Sequence, residues 1–525
     1  MAFAPRAEAS TSAPSLPAAG APAPKSRHRQ TISSAIVLFA VRVLAAIVQL
    51  RIVEKYWGGQ YSGLNALSNQ VLLYVTLLEL GLSQAAIALL YKPVVDGDLA
   101  WCAALVKALR HDARRLAAIG LGLFGAVLAI YAHVMRTAIP YHVVLLTLSF
   151  VAANGFMQLV SIHFQAYLNA AERIDRVNYI LAAGYLFKTA LGLWAAIVTG
   201  NYLWLPAFVA MLSVLEFAFL RRAFRGVFPA FSKLPITAEQ VRAAAASVRA
   251  KARYVVVHKA AGLAYYQSDF IILSLTASLF IVRDYAKYQY IAAALLSLIG
   301  MVSNALTATI ARHQMRQKST GRRRQYAVAQ LGACIIAFTV LIGYRYSASI
   351  IVGLAFGIYT TLDNRVLLLF GIALFLNIMK YVDETFIVSR GAFEPGFWIP
   401  MIEAPSYVLM GVFLSRRYGI AGILVASIVS NLIVPTLLRG WVTARRIFET
   451  TPLQWFSQRL RNIALGALLS SPILVLHWTI FRTTLPPVTK MALCTVAAII
   501  LCLLALRRVI AHGFAQPSTN GGQPA

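Results

Sequence analysis

The chain is short of acids. Only 18 Asp and Glu stand against 48 Lys and Arg over 525 residues, a formal net charge of +30. Charged residues of both signs make up 13%, about half the share of an ordinary soluble domain. Cysteine is scarcer still. Cys102, Cys334, Cys494 and Cys502 lack the spacing of metal ligands and the density of a disulfide framework, so they read as small hydrophobes. Also missing is any glycine-rich run ending in Gly-Lys-Ser or Gly-Lys-Thr, which excludes a phosphate-cradling nucleotide engine of that type. No nucleophile elbow or zinc-binding His-Glu pair occurs either, so no covalent chemistry announces itself.

What the chain has instead is apolar length. Hydrophobic residues reach 59% and mean hydropathy is +0.69, more than a soluble fold can bury. Runs long enough to cross a hydrocarbon core, about 20 helical residues each, recur from Thr31 nearly to the C-terminus. They are continuous rather than alternating, which excludes a β-barrel. The expected fold is an all-α polytopic membrane protein of about 14 transmembrane helices, two pseudo-symmetric six-helix bundles plus two C-terminal helices. The spans centre near Phe39, Tyr74, Gly125, Phe156, Gly184, Ala210, Ser268, Ser297, Cys334, Phe375, Val408, Ser427, Leu469 and Ala498. In order, the chain divides into an Ala/Pro/Ser-rich disordered tail (1–30), an N-terminal bundle (31–220), a basic loop (221–253), a C-terminal bundle (254–450), two extra spans (451–510) and a tail (511–525).

With the N-terminus inside, about two thirds of the Lys and Arg fall in cytoplasmic segments, so both tails are expected in the cytoplasm. The densest clusters, Arg221 to Arg253 and Arg312 to Arg324, flank spans. Membrane lipid headgroups account for such charge better than nucleic acid does. The external loops are short, with the longest expected at Arg345 to Asp363, leaving little room for a membrane-embedded glycosyltransferase or ligase.

The informative residues are therefore polar groups within the spans. At about 100° per residue, Asn65, Asn69, Thr76, Glu79 and Ser83 share one face of the second span, as do Asn154, Gln158, Ser161, Gln165 and Asn169 of the fourth. Similar stripes combine Asn178, Tyr185, Lys188 and Thr189; His258, Tyr265, Tyr266 and Asp269; and Asn377, Lys380, Tyr381 and Glu384. A bare charge at mid-bilayer costs ~3 kcal/mol. Arg42, Lys188, Lys259 and Lys380 thus need a watered cavity, where they would bind an anionic substrate with Asn154, Gln158, Tyr266 and Asn377, or else ion-pair partners. Lys380 has Glu384 one turn away. Glu79, Glu216, Asp269 and Glu384 are candidates for such pairs or for proton or sodium coupling; no cofactor or metal site is expected.

The two halves are alike in spacing. Tyr56 to Ala86 (YWGGQYSGLNALSNQVLLYVTLLELGLSQAA) parallels Leu279 to Ala308 (LFIVRDYAKYQYIAAALLSLIGMVSNALTA), each crossing a short outside turn into a polar-striped span. The first of these segments resembles the opening of Wzx-type polysaccharide flippases of the multidrug/oligosaccharidyl-lipid/polysaccharide (MOP) exporter superfamily. Its Gly-rich turn leads to a span ending in an acid-Leu-Gly-Leu-Ser signature, here Glu79 to Ser83. FQAYLNAAERIDRVNYI, YYQSDFIILSLTASLFIVRDYAKYQYI and RYGIAGILVASIVSNLIV extend the resemblance over roughly residues 31 to 450. The turn from Arg283 to Lys287 is unusually poor in acids for that family.

The resemblance implies export, without covalent chemistry, of a polyprenyl-diphosphate-linked oligosaccharide across a bacterial cytoplasmic (inner) membrane. The product would feed synthesis of a surface polysaccharide such as O-antigen or exopolysaccharide, with a polymerase and chain-length machinery as partners. Cationic side chains suit a diphosphate. A peptidoglycan lipid-precursor flippase or a drug/cation antiporter of the same superfamily is the alternative; the antiporter calls for an acidic cavity.

Overall fold

The computed structural model describes residues 25–514 except 78, 80, 136, 233, 317–318, 358–361, 390–398, 447 and 449; side chains at 25–29, 253–267, 304–320, 508–514 and a few single positions also lie outside the description. The expected N-terminal tail is thus almost entirely outside the described residues, although helix begins at Lys25, inside its boundary.

Every long element is helical: α1 (Lys25–Trp57), α2 (Gly59–Leu77), α3 (Leu82–Asp96), α4 (Leu99–Val134), α5 (Tyr141–Ala170), α6 (Ile174–Thr199), α7 (Trp204–Val227), α8 (Ala238–Gln267), α9 (Asp269–Thr276), α10 (Leu279–Arg316), α11 (Ser319–Phe356), α12 (Asn364–Ser389), α13 (Ile399–Asn431), α14 (Gly440–Arg446), α15 (Pro452–Phe481) and α16 (Pro487–Phe514). In hydrocarbon each backbone N–H and C=O must be bonded within its own segment, so an apolar run can only be a helix or part of a closed barrel. Polar caps mark where several helices meet water. Asp98 accepts the Trp101 N–H at 2.9 Å at the start of α4, Thr237 and Gln240 form a reciprocal capping box on α8, and Thr451 precedes Pro452 at the first position of α15.

The fourteen expected spans map onto these helices with three irregularities. The second span is broken: α2 stops near Glu79, Gly81 adopts φ 69°, and α3 resumes. The signature from Glu79 to Ser83 is therefore a helix break, not a helical stripe. The seventh span breaks between α8 and α9 at Ser268. The eleventh and twelfth spans form a tight hairpin inside α13, turned by Gly419 at φ 53°. A Cβ on Gly422 would lie 2.3 Å from the Leu414 carbonyl oxygen across that turn, so the two arms touch through backbone. The second arm ends in a π-helical stretch, Leu432–Arg439, containing Pro435. One expected loop is corrected: α11 stays helical through Phe356, because the apolar run Ser347 to Phe356 continues the span, so only a short connection remains before α12.

α1 packs on α2 and α6, α5 on α2, α4 and α7, and α6 on α7; α12 packs on α10, α11 and α13, and α13 on α9. α15 and α16 pack on α11 and on one another. The two groups meet along α2 and α10 at the far end, the end opposite the start of α1. Here the Gly-rich turn acts through close approach. A Cβ on Gly63 would sit 2.0 Å from the Leu279 carbonyl oxygen, and one on Gly59 would sit 2.3 Å from the Arg283 guanidinium. Glycines four apart let two helices touch along their backbones. Elsewhere α8 bridges the groups, packing on α3 and α4 on one side and on α13 on the other.

Candidate functional site

At the far end the Gly59–Gly63 contact is backed by buried charge. Glu54 on the last turns of α1 receives Lys287 Nζ at 3.0 Å and lies 3.3 Å from the Arg283 guanidinium. Arg283 also holds Asp284 at 2.7 Å. Lys287 is 0% exposed. The acid-poor turn of the sequence is thus the opening of α10, and the acid it lacks comes from α1 in the other bundle. Sequence reading missed Glu54 because it stands three residues before Trp57 and resembles a loop-edge charge. Its helical position below the turn was the available signal.

Within the N-terminal bundle, Lys188 on α6 forms an ion pair with Glu216 on α7 and donates to Asn154 Oδ1 on α5 at 3.0 Å. All three are buried. Gly184 makes the room, since a Cβ there would stand 2.9 Å from a Glu216 carboxylate oxygen. In the C-terminal bundle, Lys380 on α12 pairs with Glu403 on α13 at 2.7 Å. Glu384 pairs instead with Arg439 at 2.8 Å, and Arg439 approaches Glu403 at 3.9 Å. The one-turn pair between Lys380 and Glu384 is therefore replaced by a four-residue network across α12 and α13. The π stretch, which ends at Arg439, is what brings that guanidinium to both acids. Glu403 and Arg439 were not among the expected site residues.

Asp269 differs from the other span acids. Buried at the start of α9, it accepts hydrogen bonds from the hydroxyls of Tyr285 on α10 and Tyr407 on α13. Among the described residues it has no ion-pair partner. The neighbouring Ser268 hydroxyl bonds Tyr74 of α2 at 2.8 Å, across the two bundles.

The remaining expected residues are dispersed. Arg42 on α1 is exposed, with its guanidinium 4.9 Å from the Tyr185 ring centroid. Gln158 is half-buried beside Ser161, whose hydroxyl bonds its carbonyl at 2.7 Å. Asn377 donates to the Ala373 carbonyl at 2.9 Å and leaves Oδ1 buried without a partner. Glu79 stands in the α2–α3 break, its carbonyl accepting the Leu82 N–H at 2.9 Å. The side chains of Lys259 and Tyr266 lie outside the described residues. Thus Asn154, Lys188 and Glu216 come together, as do Lys380 and Glu384 through Arg439 and Glu403, while Arg42, among the described bases, stands apart from both.

The architecture is that of an all-helical, multi-pass membrane protein, and solved transporters of the MOP superfamily are similar to it in fold. The chain is similar to the structure of a lipid II flippase, MurJ, in an inward closed conformation (TM-score 0.65, 12% identity, covering 92% of this chain and 98% of that one). It is also similar to an inward-facing multidrug resistance MATE family transporter of the MOP superfamily (TM-score 0.61, 11% identity, 82% and 98%) and to a mutant form of the Vibrio cholerae MATE transporter VcmN (TM-score 0.52, 10% identity, 82% and 99%). No protein-family model and no curated protein matches the sequence. At such identities the likeness is one of fold.

Proposed function

We propose that this chain is a flippase that moves a polyprenyl-diphosphate-linked oligosaccharide between leaflets of a bacterial inner membrane by alternating access, for surface polysaccharide synthesis. The observation that carries the reading is the far-end closure. Two bundles meet through glycine-permitted backbone contact and a Glu54–Arg283–Lys287 cluster, contacts made between the bundles that an opening motion would break. The flippase likeness takes in 92% of the chain and the MATE likenesses 82%, and this wider match supports a lipid-linked substrate over a small cation. The buried acids Glu54, Glu216 and Glu403 are each neutralised by bases, which leaves Asp269 as an exception among these buried span acids and few acids, among the described residues, to attract a cation.

In this reading the diphosphate is drawn to bases freed as the bundles part, and the sugar hydroxyls to the Asn, Gln and Tyr of the polar stripes. Asp269, held by two phenols and, among the described residues, no base, is the coupling group: gaining and losing a proton would remake its bonds to α10 and α13 and bias the closure. The test is reconstitution into vesicles with a fluorescent polyprenyl-diphosphate oligosaccharide, following its access to an impermeant quencher. Equal rates with and without the protein would refute the proposal.

A further inference from the structure

A second cationic feature lies away from the bundle interface. At the near end of the N-terminal bundle, where α1 begins, helices α4, α5 and α7 and the short turn after α7 enclose a cavity of about 540 Å³. That volume suits a small ligand group. Its lining follows from helix geometry. Arg110 and Arg114 lie one turn apart on a face of α4, and Arg221 and Arg225 one turn apart on α7, interleaved with Phe217, Phe224 and Phe228 along the same stripe.

Arg110 is half-buried and Arg114, Arg221 and Arg225 are exposed around the opening, so four like charges line one space that favours an anion. The nearest acid on α4, Asp112, lies on the opposite face of the helix and is held there by Arg249 of α8 at 2.9 Å. No carboxylate lines the cavity, and among the described residues none pairs with any of the four guanidinium groups. One wall is His163 of α5, 2% exposed, whose ring centroid lies 3.9 Å from that of Phe164.

The ligand has an apolar side as well. Phe224 and Phe228 are buried in the wall, while Leu215 and Phe219 of α7 are 54% and 57% exposed on the outer face of the bundle. In a bilayer that face meets acyl chains, and the cavity lies on the other side of the same helix, one helix thickness from the lipid. Guanidinium forks match phosphate oxygens bidentately. We propose that this pocket is a binding site for the phosphate headgroup of an anionic membrane lipid, with Arg110, Arg114, Arg221 and Arg225 as its ligands. All three helices belong to one bundle, so separation of the bundles leaves the site intact.

The experiment adds phosphatidylglycerol, phosphatidylcholine or inorganic phosphate to the delipidated full-length protein and reads lipid adducts by native mass spectrometry and Tm in parallel. Wild type retains phosphatidylglycerol about tenfold or more over phosphatidylcholine, from charge contacts near the membrane surface. Arg110→Gln/Arg221→Gln loses that preference. Arg115→Gln/Arg222→Gln removes the same charge from neighbouring positions off the cavity and keeps it. Equal loss in both double variants would reduce the effect to diffuse surface charge and overturn the site. Stabilisation by inorganic phosphate equal to that by phosphatidylglycerol, without lipid adducts, would overturn the lipid assignment. A Tm of the first double variant matching wild type in the absence of lipid separates lost binding from lost folding.

Discussion

Replacing Gly63 by Ala should open the far end of the protein. The added Cβ would stand 2.0 Å from the Leu279 carbonyl oxygen, where ordinary contact begins at 3.4 Å, so α2 and α10 must separate by about 1.4 Å, the difference of those two values. The obstructing atom belongs to helical backbone and cannot swing aside. Overpacking of this kind costs about 1–3 kcal/mol. If the strain falls only on the closed state, the closed-to-open ratio drops about 5- to 150-fold. Spin labels on His142→Cys and Arg365→Cys, exposed at the far ends of α5 and α12, report the separation of the bundles. Of the native thiols, Cys102, Cys334 and Cys494 are buried and only Cys502 needs removal. Gly122→Ala is the control, since nothing lies within 4 Å of its Cβ and alanine favours the helix. A folded Gly63→Ala protein with an unchanged distance distribution would refute the idea that this contact sets the closure.

Other perturbations read the charge networks. Lys287→Met leaves buried Glu54 to its longer pair with Arg283 and should destabilise the closed state by less than the about 3–5 kcal/mol of a fully unpaired buried charge, with Lys287→Met/Glu54→Gln recovering much of the loss, as read by Tm and by the same labels. Lys188→Met should be similarly harmful and be rescued by Glu216→Gln; failure of rescue would show that Lys188 serves the substrate rather than its partner. Asp269→Asn should leave transport in vesicles indifferent to an imposed pH gradient, whereas an unchanged gradient response would move coupling elsewhere. Reporter fusions after Lys92, Arg176, Arg225, Arg324 and Arg446 should read cytoplasmic and one at Gly200 external. An external result at any of the first five would revise the topology. The external reporter position expected near Tyr359 lies outside the described residues.

The fold was largely legible, because bilayer thickness ties apolar run length to span count and leaves the helix as the local solution. The Gly-rich turn was legible too, but as a loop signal. Its work as the contact surface of α2 depends on which helix faces it, a long-range fact that spacing does not carry. The bases illustrate the same limit. Helical periodicity placed Lys380 and Glu384 on one face, yet their partners are Glu403 and Arg439, supplied by a hairpin turned at Gly419 and a π stretch that shifts the register of its last turn. Periodicity at 3.6 residues describes one regular helix; where the helix is broken or widened, the face it predicts no longer holds.

The attachment of α15 and α16 has a mechanical consequence. Their recorded anchors all belong to the C-terminal half: Arg459 to Asp383 at 2.7 Å, Asn462 to Gln330 at 2.9 Å, and Gly466 against Cys334. The pair is a passenger bolted to one rocker of a two-part lever. In the proposed alternating-access cycle it would sweep through the lipid with its host, adding drag and carrying along whatever acyl chain lies on it, while the other rocker would turn unencumbered.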